Sequence, residues 1–304
     1  MLKDKLHIYI ITYNRVLKLK KTLQQIFSED SPLKDLQITI LDNASNDGTK
    51  DLINNFKIKF PNIEYIRHKI NIGGNANIAR ALEKAASSDE DYFWILCDDD
   101  NYNFTNFKEV ENAIMHGYDA IIVERKCDFS ENDLPYIVNT MSFIPSTIYK
   151  RINLTCQVLQ NAYCNIFLSF PHLALGCHLL NNKKSFYIGP QIIYQNINFA
   201  FVRGCNQDAH PRIKNVNLFS SYIASYQMIK DKKLREKCCN TLWIGKSFFY
   251  SIKNFLRSKP DMTNIFEVVQ GLSLKQKIIF LAACFSQYFD LKIIFIALKL
   301  SLFE

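Results

Sequence analysis

Asp98-Asp99-Asp100, directly after the apolar run YFWILC, is the sharpest chemical signal in this 304-residue sequence. Three consecutive carboxylates at the end of a buried strand repel one another unless a cation compensates. In extended backbone Asp98 and Asp100 project to the same side. There they can reach a hard divalent ion, Mg²⁺ or Mn²⁺, that also holds diphosphate oxygens. The plainer alternative is a solvated acidic loop.

Three further segments have polar residues where apolar runs end. HIYIIT at 7–12 ends in Thr12, followed by Tyr13, Asn14 and Arg15. A dinucleotide-binding turn would need Gly-x-Gly-x-x-Gly here, and no glycine is present, which argues against a nicotinamide-dependent dehydrogenase. QITILD at 37–42 ends in Asp42 within LDNASNDGT, where the carboxylate can accept bonds from a base or ribose. A turn with a helix cap explains Asn43 to Gly48 equally well. Asn71-Ile72-Gly73-Gly74-Asn75 then leads into Arg80, and the glycine pair lets backbone approach a ligand. A phosphatase of the haloacid dehalogenase type also needs Asp-x-Asp, but on its first strand and followed by Thr. Here the triplet follows the fourth strand and precedes Asn101.

The elements that must position these residues alternate in type. Runs at 7–12, 37–42, 63–67, 92–97 and 119–124 are apolar on both faces, as strands covered by helices on each side should be. Between them, Val16, Leu19, Leu23, Ile26 and Phe27 share a helical face. Asp47 can cap a helix carrying Leu52, Ile53 and Phe56, and residues 75–87 are dense in helix formers. The alternation predicts an α/β fold with an open, mainly parallel sheet, whose ligands bind outside the carboxyl ends of its strands. Residues 125–170 read as loops and short helices. A helix near 172–182, a strand at 185–194 and a helical region from about 216 follow.

Composition narrows the class. With 48% hydrophobic and 22% charged residues the chain is ordinary globular material, which excludes wholesale disorder. The net charge of +8 is uneven: residues 1–211 carry 22 Lys+Arg against 23 Asp+Glu, and residues 212–304 carry 15 against 6. Nine cysteines without a Cys-x-x-Cys pair suggest reduced thiols in a cytoplasmic protein. The N-terminus lacks signal-peptide features, and no stretch reaches the roughly 18 uncharged apolar residues of a spanning helix.

Thr12 to Arg15, DNASNDGT at 42–49, NIGGNANIARA at 71–81 and the triplet at 98–100, in that order and spacing, resemble the inverting family 2 glycosyltransferases of the GT-A fold. A weaker likeness continues through FPHLALGCHLLNNKKSFYIGPQIIYQN. The resemblance implies a Rossmann-like catalytic domain over 1–215, with residues 216–304 as a basic helical extension. It implies a nucleotide-diphosphate sugar donor, a UDP-sugar first among them. Mn²⁺ or Mg²⁺ would be the cofactor, and a glycan or lipid-linked acceptor in bacterial surface-polysaccharide synthesis the partner.

Carried over by residue, Thr12, Tyr13 and Arg15 border the nucleotide, with Tyr13 near the base. Asp42 bonds the base, and Arg80 lies near base or diphosphate. Asn71, Gly73 and Asp99 belong to the donor site, Asp98 contacts the ribose or shares the metal, and Asp100 ligates the metal. The sequence departs from the family twice. Pro171-His172 stands where Glu-Asp is usual, and Gln195 where His is usual. An inverting displacement needs a base, and a histidine titrates near working pH, at about 6.5, without any shift. His172, at a helix start whose dipole favours neutral imidazole, is the first candidate, with Asp208 and His210 in reserve. His7, His68, His116 and His178 read as structural or surface residues.

A sugar-nucleotide-binding protein without transfer activity is the alternative. The basic tail suits an anionic membrane surface, which would place the chain peripherally on the inner face of the cell membrane, or contact with a second copy. Nothing in it resembles a nucleic-acid module.

Overall fold

The computed structural model describes residues 1–124, 133–194, 218–241 and 248–287. β1 (Leu6–Thr12), β2 (Ile38–Asp42), β3 (Ile63–Arg67) and β4 (Tyr92–Cys97) are joined by α1 (Val16–Ile26), α2 (Thr49–Lys59) and α3 (Gly74–Ala86). β1 lies between β2 and β4, and β3 flanks β2, all parallel. Their carboxyl ends therefore meet at one edge. The chain continues through β5 (Asn101–Tyr102), α4 (Phe107–His116) and β6 (Ala120–Ile122), then α5 (Leu134–Met141), β7 (Thr147–Lys150) and α6 (Cys156–Cys164). α7 (Leu173–Asn181), β8 (Phe186–Ile188) and β9 (Ile193–Tyr194) follow. The seven-stranded sheet has the order β3-β2-β1-β4-β7-β6-β8, and β5 pairs with β9 in a separate ribbon.

β7 departs from the sequence reading, which has loops and short helices there. Its four residues, TIYK, run antiparallel between β4 and β6. A short insert after Pro145 carries too little period to be legible, yet it completes the sheet. The single strand expected at 185–194 is two strands instead. Gly189-Pro190 separates them, with the Gly189 amide bonded to the Ile122 carbonyl. Proline cannot donate to a ladder, so pairing resumes only at β9.

Both faces of the sheet are buried. Ile8, Ile10, Ile38, Ile40, Trp94 and Leu96 pack against α1 and α4. Tyr9, Leu41, Phe93 and Ile95 face α3, α5, α6 and α7. This second core runs on without a break into the C-terminal helices α8 (Leu218–Tyr226), α9 (Lys232–Asn240), α10 (Phe248–Arg257), α11 (Met262–Gly271) and α12 (Leu274–Gln287). Phe219, Ile223, Tyr226, Val268 and Phe280 are its members there. The apolar side of the basic region is thus spent on this core. Seven cysteines among the described residues are free thiols. No helix among the described residues is long and apolar enough to cross a membrane.

Candidate active site

Parallel pairing sets the site out in a row. Thr12 lies opposite Asp42 in the β1–β2 register, and Ile11 opposite Cys97 in the β1–β4 register, so Thr12 stands between Asp42 and Asp98. Adjacent strands are about 4.8 Å apart, close enough for side chains at neighbouring strand ends to bond directly. Thr12 Oγ1 donates to Asp98 Oδ2 at 2.7 Å, and Arg15 donates to Asp98 Oδ1 at 2.9 Å and to Asp99 Oδ2 at 3.2 Å. Lys18 Nζ, one helical turn beyond Arg15, reaches Asp99 Oδ2 at 3.0 Å. Burial holds the Asp98 carboxyl above the ordinary carboxylate range, with the Arg15 charge and the Thr12 hydroxyl opposing.

The compensating cation that the triplet demands is therefore supplied in part by the protein. Sequence reasoning missed Lys18. Its signal is the i, i+3 spacing from Arg15, which puts two cations on one face of the first turn of α1. Arg15 and Lys18 thus set two side-chain cations beside Asp98 and Asp99. Among the described residues no group of three or more His, Cys, Asp or Glu is arranged to hold a metal ion. A closed protein cage is thus excluded for those residues. Of the triplet, the buried Asp100 is the carboxylate that could hold a divalent ion. Asp98, expected as a second ligand, has both oxygens engaged by Thr12 and Arg15.

Asp42 is 0% exposed. Its Oδ1 accepts the Ser45 amide at 2.9 Å, its Oδ2 accepts the Tyr65 hydroxyl at 2.6 Å, and the Arg67 guanidinium lies 3.7 Å away. Next to it, Asn43 donates to Asn71 Oδ1 at 2.7 Å and accepts the Ile72 amide at 3.0 Å. Asn71 Oδ1 also takes the Gly73 amide at 2.8 Å. This ladder joins the loops after β2 and β3. Gly73 itself has φ +86°, a left-handed conformation that a side chain would strain. Asp47 bonds the Val16 amide at 2.8 Å and the Thr49 amide at 3.2 Å, so one carboxylate caps α1 and α2 together.

Tyr13 is half-buried in the loop after β1. Arg80 is half-buried on α3, and its charge adds to the burial that lowers the His68 pKa, which places it beside His68. Gln25 of α1 donates to the Asp100 carbonyl at 3.4 Å and accepts the Tyr102 amide at 3.0 Å, steadying the exit from the triplet. Tyr194 of β9 lies opposite Asn101, so the 193–194 segment borders the triplet as the sequence order requires.

His172 is not at this edge as an open group. It is 3% exposed, and its Nε2–H donates to the Ser142 carbonyl at 3.0 Å. Burial pushes its pKa down to about 4. A helix start was legible; the walls of α5 and the Phe170 ring that cover the imidazole were not. Asp208, His210 and Gln195 lie outside the described residues.

Comparison with known proteins converges on one family. The family model described as Glycosyl transferase family 2 matches residues 7–174, more than half of the chain. The chain is 32% identical over 257 residues to abequosyltransferase RfbV of Salmonella typhimurium, covering 73% of each protein. It is 26% identical over 132 residues to the GalNAc(5)-diNAcBac-PP-undecaprenol beta-1,3-glucosyltransferase of Campylobacter jejuni, covering 42% of this chain and 41% of that one. Among solved structures it resembles S. aureus TarS 1-349 in complex with UDP-GlcNAc, with a TM-score of 0.61 and 14% identity. That match covers 91% of this chain and 84% of the other. At that identity the likeness establishes the fold, and the fold is the one the four motifs imply.

Proposed function

Because the chain belongs to glycosyl transferase family 2, we propose that it moves a sugar from a nucleotide-diphosphate donor to a glycan or lipid-linked acceptor. The transfer serves bacterial surface-polysaccharide synthesis and inverts the anomeric centre. The observation that carries this reading is the row Asp42–Thr12–Asp98, with Arg15 and Lys18 behind it, at the carboxyl edge of the parallel sheet. A UDP-sugar is the first donor to test, since the fold neighbour TarS was solved with UDP-GlcNAc.

In this reading Tyr13 packs near the base, and Asp42, buried beneath the site, holds Tyr65 and Arg67 in place beside it. Asn71 and Gly73 bring backbone close to the donor, and Arg80 supplies positive charge near the base or diphosphate. Asp98, fixed by Thr12 and Arg15, presents a rigid acceptor to the ribose, while Asp99 keeps Arg15 and Lys18 in place. A divalent ion, Mn²⁺ or Mg²⁺, held by Asp100 would stabilise charge on the departing nucleoside diphosphate. Asp100→Ala should lower transfer by about a hundredfold or more, with the fold intact by thermal melting. Unchanged metal-dependent turnover of every donor would remove Asp100 from the site.

We assign the acceptor base to Asp208 or His210 rather than His172, because the imidazole is buried, committed to Ser142 and weakly basic. Parallel rates of Asp208→Asn, His210→Gln and His172→Gln decide among the three. The same burial favours a second reading, a donor-binding protein without transfer activity. Donor binding by thermal shift with neither hydrolysis nor transfer would establish it. In either reading the basic region 216–304 is assigned to contact with an anionic membrane surface, with a second copy of the chain as the competing partner.

A further inference from the structure

One cavity among the C-terminal helices is lined by two cations and by an exposed apolar residue, Leu274. It is lined by Lys232, Arg235 and Glu236 of α9, Gln270 of α11, and Ser273 and Leu274 at the start of α12. Two of these begin apolar rows. Leu274 is followed one turn on by Ile278, and they are 65% and 60% exposed, although α12 buries Phe280, Ala283 and Cys284 on its other side. Gln270 is preceded at the same spacing by Phe266 and Met262, both exposed. Residues four apart share a helical face. The two rows therefore approach the cavity from α11 and α12, while Lys275 and Lys233 stand exposed nearby in the chain.

Large aliphatic side chains left in water around a cationic cavity are the surface of an interfacial helix, with apolar residues for the acyl boundary and cations for headgroups. A neutral protein partner would have no use for Lys232 and Arg235 at the centre. We propose that the α9–α11–α12 corner docks on an anionic lipid surface. A lipid phosphate would enter the cavity against Lys232 and Arg235, and Leu274, Ile278 and Phe266 would enter the headgroup boundary. This gives a place to the membrane position proposed above and is independent of the transfer chemistry.

The test is cosedimentation of the full-length chain with vesicles of phosphatidylcholine alone and of phosphatidylcholine with phosphatidylglycerol. Binding to the anionic vesicles only is expected, and K232Q/R235Q should weaken it by about tenfold or more. L274S/I278S should weaken it too, whereas K57Q/K59Q, which removes two exposed charges on α2, should leave it intact. Comparable melting temperatures confirm that the variants fold. Four results would overturn the proposal. One is equal binding to neutral and anionic vesicles. Another is an equal loss in K57Q/K59Q. The third is full vesicle binding by L274S/I278S together with loss of a dimer in gel filtration. Competition by inorganic phosphate with no vesicle binding would mark a free-anion site and overturn it as well. Donor binding, read separately by thermal shift with UDP, keeps failure of the docking surface distinct from failure of the transferase reading.

Discussion

The carboxyl edge of the sheet and the helical half stacked on its other face use polar groups in opposite ways. At the edge, carboxylates are buried, and each needs partners delivered by a different element. Asp98 takes Thr12 from β1 and Arg15 from the start of α1, and Asp42 takes Tyr65 from β3. In the helical half the buried polar groups are mostly neutral, with Lys277 a buried exception. His172 donates to a carbonyl, Ser142 bonds Tyr222, and Ser220 bonds Asn264. An edge that takes the nucleotide diphosphate proposed above must hold charge ready at the cost of stability. A wall has no such need and is stabilised by apolar contact.

The contrast breaks most visibly with pH. His172 has its pKa pushed down to about 4, against about 6.5 unfolded, so the unfolded chain binds the extra proton between those values. Its contribution to stability is present above about 6.5 and falls as pH drops toward 4. That is a loss on the order of 3 kcal/mol. Chemical unfolding of His172→Gln should therefore give a flatter stability curve across that window than the parent. An identical slope in both would mean the imidazole is not buried as a neutral group.

Arg15→Ala tests the charged edge in the opposite sense. Asp98 already carries a raised pKa, and losing the guanidinium raises it further. A raised carboxylate costs stability above its unfolded pKa and nothing once it is protonated in both states. The variant should thus lose about 2–3 kcal/mol near neutrality and much less near pH 4. A pH-independent loss would assign Arg15 to packing.

The sequence made these two regions unequally legible. The strand ends at Thr12, Asp42 and Cys97 fall where two-sided apolar runs stop, so β1, β2 and β4 and their edge are read directly from pattern. Partner identity was less visible. Acidic repulsion called for a cation, and the pattern could not tell a metal ion from Arg15 plus Lys18. In the sheet β7 carries too little pattern to be legible, and in the helical half His172 reads as accessible from sequence. β7 depends on pairing with β4 and β6, and the depth of the α7 start depends on Ser142 after α5, all distant in sequence. The charge split at residue 212 is visible in composition alone. That the apolar side of the same segment completes the sheet's core follows only from packing.

Gly271→Ala sharpens the comparison from the helical side. A Cβ at Gly271 would lie 2.3 Å from Ile223 Cγ2 and 2.6 Å from Gln227 Nε2, so α11 and α8 would have to separate. Overpacking of this kind costs about 1–3 kcal/mol. Because the C-terminal helices share a core with the sheet, the whole melting transition should move rather than a separate minor phase. Donor affinity should stay unchanged, since Gly271 packs on Ile223 and Gln227 and not on the edge residues named above. A second, early transition in calorimetry would show the helices melting on their own.

The smallest effect is the most discriminating for the edge itself. Lys18 and Arg15 both contact Asp99, yet the Lys18 side chain is 49% exposed and that of Arg15 20%. Water screens the outer pair, and exposed ion pairs contribute roughly 0–1 kcal/mol. Lys18→Gln should therefore shift stability by no more than about 0.5 kcal/mol, and added salt should erase the difference. Arg15→Ala should keep most of its cost in the same salt, because its partner Asp98 is buried. If both variants cost the same and respond alike to salt, burial does not rank the two cations. The edge would then be a solvated acidic loop with adventitious partners, not a site that holds charge in readiness for a diphosphate.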